Sequence, residues 1–211
     1  MRRLSALMLA LALSPGPAAG QHEVSVPAPE AGAADFDTSY RPSPSLSARL
    51  QREFLTRIRW SAGAELRDGL VEAFAEKPPV EIWQELVEGD GLTTNNVVDA
   101  LTAYWVLNWV TANGAYSARI DNAPIRRQLQ QAMEGDQNFR TLNDQQRQIM
   151  AENHILDFLL EHAALNEAVA RKDVPALSRL AAAAVMRFRQ NMGVDLLAVE
   201  PGPEGFMPKQ R

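Results

Sequence analysis

The sequence contains no cysteine, and it contains only three histidines. The lack of cysteine excludes a disulfide framework, a zinc–thiolate site, a thiol nucleophile and a lipid-modified N-terminal cysteine. A zinc site normally takes three or four ligands in fixed motifs, and no such motif is present. We therefore expect no metal site and no cofactor.

Basic residues are outnumbered, with 21 Lys and Arg against 26 Asp and Glu. Nucleic-acid binding requires a basic patch, so we expect no nucleic-acid partner. Serine nucleophile elbows, phosphate-binding loops and EF-hand loops are also absent. These absences exclude the enzyme classes that are most easily read from a sequence.

A long uninterrupted apolar run is missing from the interior of the chain. The most apolar stretch, residues 97–112, still contains Asp99, Thr102, Asn108 and Thr111. A membrane span needs about 20 apolar residues, and a charge at depth costs several kcal/mol unless it is paired. We therefore expect no transmembrane span in the mature chain. A helix this apolar must instead be covered on nearly every side.

This central helix is predicted to occupy about residues 96–113. Asn96 is the expected N-cap, and Asp99 then lies at N3, where its carboxylate can accept from the backbone N–H of the cap. Gly114 accepts the left-handed conformation that closes a helix. Flanking segments repeat apolar residues every three or four positions, and no alternating strand pattern is found. The sequence thus predicts an all-α domain over residues 45–199, a single bundle of about six to seven helices.

The two ends of the chain have a different composition from the domain. Residues 1–20 read as a signal peptide: Arg2 and Arg3 precede a short apolar stretch, and small residues favour cleavage before Gln21. Residues 21–44 are rich in Pro and Ala and are predicted to be a flexible segment. Residues 200–211 are predicted to be a tail with Phe206 as its anchor. We expect an exported protein, periplasmic or secreted.

Three stretches carry a family resemblance. They are GLTTNNVVDALTAYWVLNWVTANGA from Gly91, LNDQQRQIMAENHILDFLLEHA from Leu142, and NMGVDLLAV from Asn191. Over about residues 42–206 the chain resembles a group of exported bacterial proteins that form a domain of unknown function. The resemblance implies export and an all-α domain. It implies no activity, cofactor or catalytic residue.

One cluster contains the residue types of acid–base catalysis: His154, Asp157, Glu161 and His162. On a helix, positions 154, 157 and 161 share a face, and His162 lies about 80° from His154. A His oriented by a carboxylate can transfer protons. The alternative is that these residues form the edge of an amphipathic helix, with His162 as a hydrogen-bonded core residue.

Four residues of the central helix are candidates for a binding pocket: Tyr104, Trp105, Asn108 and Trp109. Aromatic residues at helical spacing usually belong to a core. A buried amide must find partners or cost about 1–3 kcal/mol, so Asn108 is more often a packing residue than a ligand contact.

Two functions remain open from the sequence. The first is a non-enzymatic exported module that binds a protein, an envelope component or a small apolar ligand. The second is a hydrolase or lyase that uses the His/carboxylate cluster. An enzyme would show a concave pocket where those side chains converge, with a Tyr or Arg from another helix.

Overall fold

The computed structural model describes residues 36–62 and 64–209 as a predominantly helical domain, which confirms the predicted fold class. In this part of the chain there are eight α-helices and one small antiparallel sheet. The short α6 accounts for the difference from the predicted six to seven helices. The elements are α1 Pro44–Ala62, α2 Ala64–Glu76, α3 Pro79–Val87, α4 Val97–Asn113, α5 Asn122–Gly135, α6 Gln137–Arg140, α7 Asp144–Ala170, α8 Val174–Met192, β1 Val199–Gly202 and β2 Gly205–Pro208.

Helix α4 is the central helix, as the sequence predicts, and α5, α7 and α8 pack around it. Its N-cap is Asn96, whose Oδ1 accepts from the backbone nitrogens of Val98 at 2.9 Å and Asp99 at 3.2 Å. The helix ends at Gly114, which has φ 65°. Twelve of its residues are buried, so its side chains reach the core in almost every direction.

The Asp99 carboxylate has different partners from the predicted one. It accepts from the backbone nitrogen and hydroxyl of Thr93, at 3.0 and 2.8 Å, and it forms an ion pair with Arg126 of α5. Asp99 is 1 % exposed, so its charge needs a close cationic partner. The guanidinium meets that need better than a backbone N–H. Arg126 lies far along the sequence, and the capping pattern gave no indication of it.

Residues 36–43 pack on the domain, although their composition placed them in the predicted flexible segment. Thr38 and Tyr40 are buried. The Thr38 carbonyl accepts from the Val97 nitrogen, and the Tyr40 nitrogen donates to the Asn95 carbonyl. This stretch therefore crosses the start of α4. The predicted signal peptide and residues 21–35 lie outside the described residues.

The segment predicted as a tail forms most of a β-hairpin. Strands β1 and β2 pair from Val199 opposite Pro208 to Gly202 opposite Gly205. Phe206 is buried, which confirms it as the anchor. Four-residue strands containing Pro and Gly leave no alternation to detect, so the sequence did not predict the hairpin.

Two features of the described residues bear on function. None of their helices combines the length and the apolar character that crossing a membrane requires. None of their His, Asp and Glu side chains form a group of three that could hold a metal ion.

Candidate functional site

Helix α7 carries the polar residues from which the candidate site is built, and a capping box fixes its N-terminus. Asn143 and Gln146 form a reciprocal capping box at its N-terminus. The helix contacts α1, α3, α4 and α8, so each of its faces meets a different partner. Gln148 and Glu152 lie on the face toward α1, four residues apart and therefore one turn apart.

Gln148 is fully buried and holds the start of α1. Its Oε1 accepts from the Ser43 nitrogen at 2.9 Å, and its Nε2 donates to the Ser43 carbonyl at 3.0 Å. The same Nε2 lies 2.7 Å from Oε1 of Glu152. Gln148 thus positions both the helix terminus and the neighbouring carboxyl group.

Glu152 is a buried carboxyl group, 4 % exposed. Its Oε1 accepts from Oγ of Ser47 at 2.7 Å and from Gln148. Burial raises the pKa of Glu152, and these two hydrogen bonds oppose the rise. The carboxyl group is therefore fixed in position by two donors but incompletely solvated.

Glu152 lines a groove of about 490 Å³ between α1, α3 and α7, which we call the α1–α3–α7 groove. Its volume is in the range of small-molecule sites. Gln84 stiffens the α3 side, because its amide donates to the Leu92 carbonyl and accepts from the Thr94 nitrogen. The lining residues are Pro42, Pro44, Ser47, Ala48, Gln51, Pro78, Pro79, Val80, Glu81, Gln84, Thr94, Asn95, Glu152, Ile155 and Leu156.

The predicted catalytic carboxylates lie elsewhere on α7 and are each paired with an arginine. Arg57 of α1 reaches Asp157 at 2.6 Å. Arg187 of α8 reaches Glu161 at 2.9 Å, and it also donates to Oδ1 of Asn108 at 3.0 Å. The Asn108 amide donates in turn to the Tyr104 carbonyl.

Glu161, Arg187, Asn108 and Tyr104 form a polar group across α4, α7 and α8, in which the Arg187 side chain is 34 % exposed; we call it the Arg187 cluster. Desolvation raises the pKa of Glu161 to about 7, although the Arg187 charge opposes it. Desolvation also raises the pKa of Tyr104, and the Glu161 charge adds to that effect. The pKa of Asp157 is raised by burial too, against the charges of Arg57 and Arg187.

Of the two candidate histidines, His154 adjoins the Arg187 cluster, because its ring centroid lies 5.0 Å from that of Tyr104. His154 lines a cavity of about 100 Å³ that contains none of the other three predicted catalytic residues. Burial lowers the pKa of His154 to about 4, so the ring is neutral at pH 7. His162 stacks on Phe158 and lies within hydrogen-bond distance of Asn166, and burial lowers its pKa as well.

The four binding candidates of α4 occupy three environments. Tyr104 and Asn108 belong to the Arg187 cluster. Trp105 is buried, 5.1 Å from the Phe188 ring and 5.8 Å from the Phe206 ring, and it borders the same small cavity as His154. Trp109 is half-buried and donates to the Val199 carbonyl at 2.8 Å. Within the described residues, Trp105 and Trp109 border different cavities, while Tyr104 and Trp105 both pack on Phe188.

Residues 14–196 match the family DUF6683, described as a family of unknown function. The chain belongs to DUF6683. The match covers α1 to α8 and ends before the hairpin. Neither the curated proteins nor the solved structures yield a match.

Helical spacing did not identify the groove residues Ser47, Gln148 and Glu152 of this DUF6683 chain. One signal was available: Gln148 and Glu152 lie on the same stripe as the apolar Ala151 and Ile155, where polar residues need partners. Arg187 was not identified either, because its partners Glu161 and Asn108 lie on other helices. The partners come from helices distant in sequence, and helical spacing on one element does not identify them.

Proposed function

We propose that this protein is an exported, non-enzymatic binding module whose ligand site is the α1–α3–α7 groove. The observation that carries the proposal is the buried Glu152 carboxyl group, fixed by Ser47 and Gln148 at a groove of about 490 Å³. A concave, mainly apolar site with a few fixed polar groups is the usual form of a ligand site. Three helices frame the groove and preorganise it.

The Arg187 cluster favours a structural role for the predicted catalytic residues. Asp157 and Glu161 each have a guanidinium partner, while His154 packs on the Tyr104 ring and His162 on the Phe158 ring. A general base needs access to the proton that it abstracts. In the Arg187 cluster the Glu161 carboxylate is instead held by Arg187.

The groove proposal is tested by NMR on 15N-labelled mature protein with a library of small-molecule fragments. We expect amide shifts that cluster at Ser47, Gln84 and Glu152. Ala48→Trp fills the groove from an exposed position of α1 and should abolish these shifts. Ala182→Trp, at an exposed position of α8, is the matched control. Shifts that persist in Ala48→Trp would place the ligand site elsewhere.

One observation favours the alternative of a hydrolase or lyase. The pKa of Glu161, raised to about 7, is suited to a general acid or base near neutral pH. Turnover of generic ester or glycoside substrates, measured for the parent and for Glu161→Gln, decides between the two. Activity that disappears in a folded Glu161→Gln variant would establish the enzyme and contradict the binding module.

Export rests on residues 1–20 of the sequence, where a basic start, a short apolar stretch and small residues precede Gln21. We propose a periplasmic or secreted location, with a protein or an envelope component as the partner in addition to any small ligand. Mass spectrometry of protein from the periplasm or culture medium should give a mature chain that begins at Gln21. Retention of Met1 contradicts this.

A further inference from the structure

We infer that the α1–α3–α7 groove binds an organic cation: an ammonium group on a short apolar body, with the ammonium placed against Glu152. This inference rests on the proposed function, because it assumes that the groove is the ligand site. It adds the chemical class of the ligand.

The charges of the groove favour a cation. Its lining contains two carboxyl groups, Glu81 and Glu152, and no Lys, Arg or His. An anionic ligand would meet like charge in a site of low dielectric, where repulsion is stronger than in water. A cation would instead pair with the Glu152 carboxyl group, which Ser47 and Gln148 already hold in position.

The hydrogen bonds of Glu152 leave one of its two carboxyl oxygens available to a cation. Both Ser47 and Gln148 donate to Oε1. Within the described part of the chain no donor reaches Oε2. A buried carboxylate gains from a further donor, and a charged donor gives a stronger hydrogen bond than a neutral one.

The walls of the groove suit an apolar body. Four prolines line it, and proline has no backbone N–H to offer an acceptor. Ala48, Val80, Ile155 and Leu156 add aliphatic surface. The amide of Gln84 is already engaged by Leu92 and Thr94. The site thus combines one fixed acceptor with largely apolar surroundings.

Protonation of Glu152 is linked to this ligand. Burial raises the pKa of the carboxyl group, since its charged form lacks solvent. An ammonium group beside the carboxylate replaces part of that solvation and stabilises the charged form. The bound cation therefore offsets the cost of burying the Glu152 charge.

The test compares probes that share a shape and differ in charge: hexylammonium, 1-hexanol and hexanoate, titrated into 15N-labelled mature protein. Shifts at Ser47, Gln84 and Glu152 report binding in the groove. We expect hexylammonium to bind about tenfold more tightly than 1-hexanol, the effect of one charge-assisted hydrogen bond. Hexanoate should bind most weakly.

Glu152→Gln removes the charge and keeps the shape, so the preference for hexylammonium over 1-hexanol should disappear. Glu134→Gln, an exposed position of α5, changes the net charge equally and should keep the preference. Equal affinity of the two probes in the unmodified protein would overturn the cation inference and leave the groove as a ligand site. If no probe shifts the amide signals of the groove, both the cation inference and the proposed ligand site are wrong. The comparison in the unmodified protein holds even if Glu152→Gln does not fold.

Discussion

Asn108 connects three helices through one buried amide. Its side chain is fully buried, donates to the Tyr104 carbonyl of its own helix and accepts from Arg187, which also pairs with Glu161. The Nε atom of Arg187 has no partner among the described residues, so this guanidinium depends on the two contacts of its Nη2 atom. Removing either contact leaves the half-buried guanidinium with only one protein acceptor.

Asn108→Ala should therefore lower the free energy of unfolding by about 2 kcal/mol, because the partly exposed Arg187 guanidinium loses one of its acceptors. Denaturant unfolding measures the change. Gln131→Ala, at an exposed position of α5, is the control and should stay within about 0.5 kcal/mol of the parent. Equal losses for the two variants would show that Asn108 contributes nothing through Arg187.

The free energy of unfolding depends on pH through Glu161, and the direction of the change follows from the raised pKa of this residue. Its pKa rises from the ordinary 4.5 to about 7 on folding. The folded chain thus holds a proton that the unfolded chain releases at lower pH, so stability is lost as the pH rises from about 4.5 to about 7. At about 1.4 kcal/mol per pKa unit, this loss is about 3 kcal/mol.

Glu161→Gln should remove this loss, because glutamine does not titrate. The measurement is urea unfolding of parent and variant at pH 5 and pH 8. His154 has a lowered pKa and acts in the opposite sense, but it contributes equally to both proteins. The parent should lose more stability between the two pH values than the variant does. Parallel pH profiles would mean that Glu161 titrates at its ordinary pKa.

At the scale of elements, helix boundaries could be predicted because their determinants are local. Asn96 caps α4, as the sequence predicts, and Asp121, Asn143 and Asp173 cap α5, α7 and α8 in the same way. Gly114 and Gly193 close two helices in the left-handed conformation. An N-cap side chain and the backbone N–H that it accepts from lie within three residues of each other, so a sequence window contains both.

Contacts between elements could not be predicted in this way. The Arg126 partner of Asp99, the Arg187 partner of Glu161 and the Ser47 partner of Glu152 come from other helices. The periodicity of a helix shows which residues face inward, but not which side chain of another helix they meet. The candidate site was missed for this reason, while the fold class was found.

The segment of residues 36–41 is predicted to stabilise the start of α4. A chain that begins at residue 42 loses the bonds of Thr38 to Val97 and of Tyr40 to Asn95, together with the buried Tyr40 ring, but keeps the bonds of Ser43 to Gln148. We expect a loss of about 3 kcal/mol and a melting temperature lower by roughly 10 °C. A chain that begins at residue 36 is the matched control. Identical melting curves would show that the segment adds no stability.

At the scale of the molecule, α4 is the central helix, packed against α5, α7 and α8, and Trp105 is buried on it. Trp105 packs on Phe188 of α8 and on Phe206 of the hairpin. Trp60 provides a comparison within the same chain, since its side chain is 83 % exposed. The two residues differ mainly in burial.

Trp105→Ala should lower the free energy of unfolding by about 3–5 kcal/mol, a large part of a typical total of about 5–15 kcal/mol. Trp60→Ala should change it by less than about 0.5 kcal/mol. Denaturant unfolding of both variants measures this. If Trp105→Ala unfolds like the parent but loses a ligand, Trp105 lines a binding site and is not a core residue.

The hairpin determines when the aromatic core around α4 can be completed during synthesis of the chain. Phe206 covers Trp105 and Trp109, and Gln128 of α5 bonds to both the nitrogen and the carbonyl of Phe206. On the ribosome, α4 emerges long before this aromatic cover does. Until residue 206 has been synthesised, the indole rings of the central helix lack one wall of their core. The aromatic part of the core around Trp105 and Trp109 is thus completed only late in synthesis.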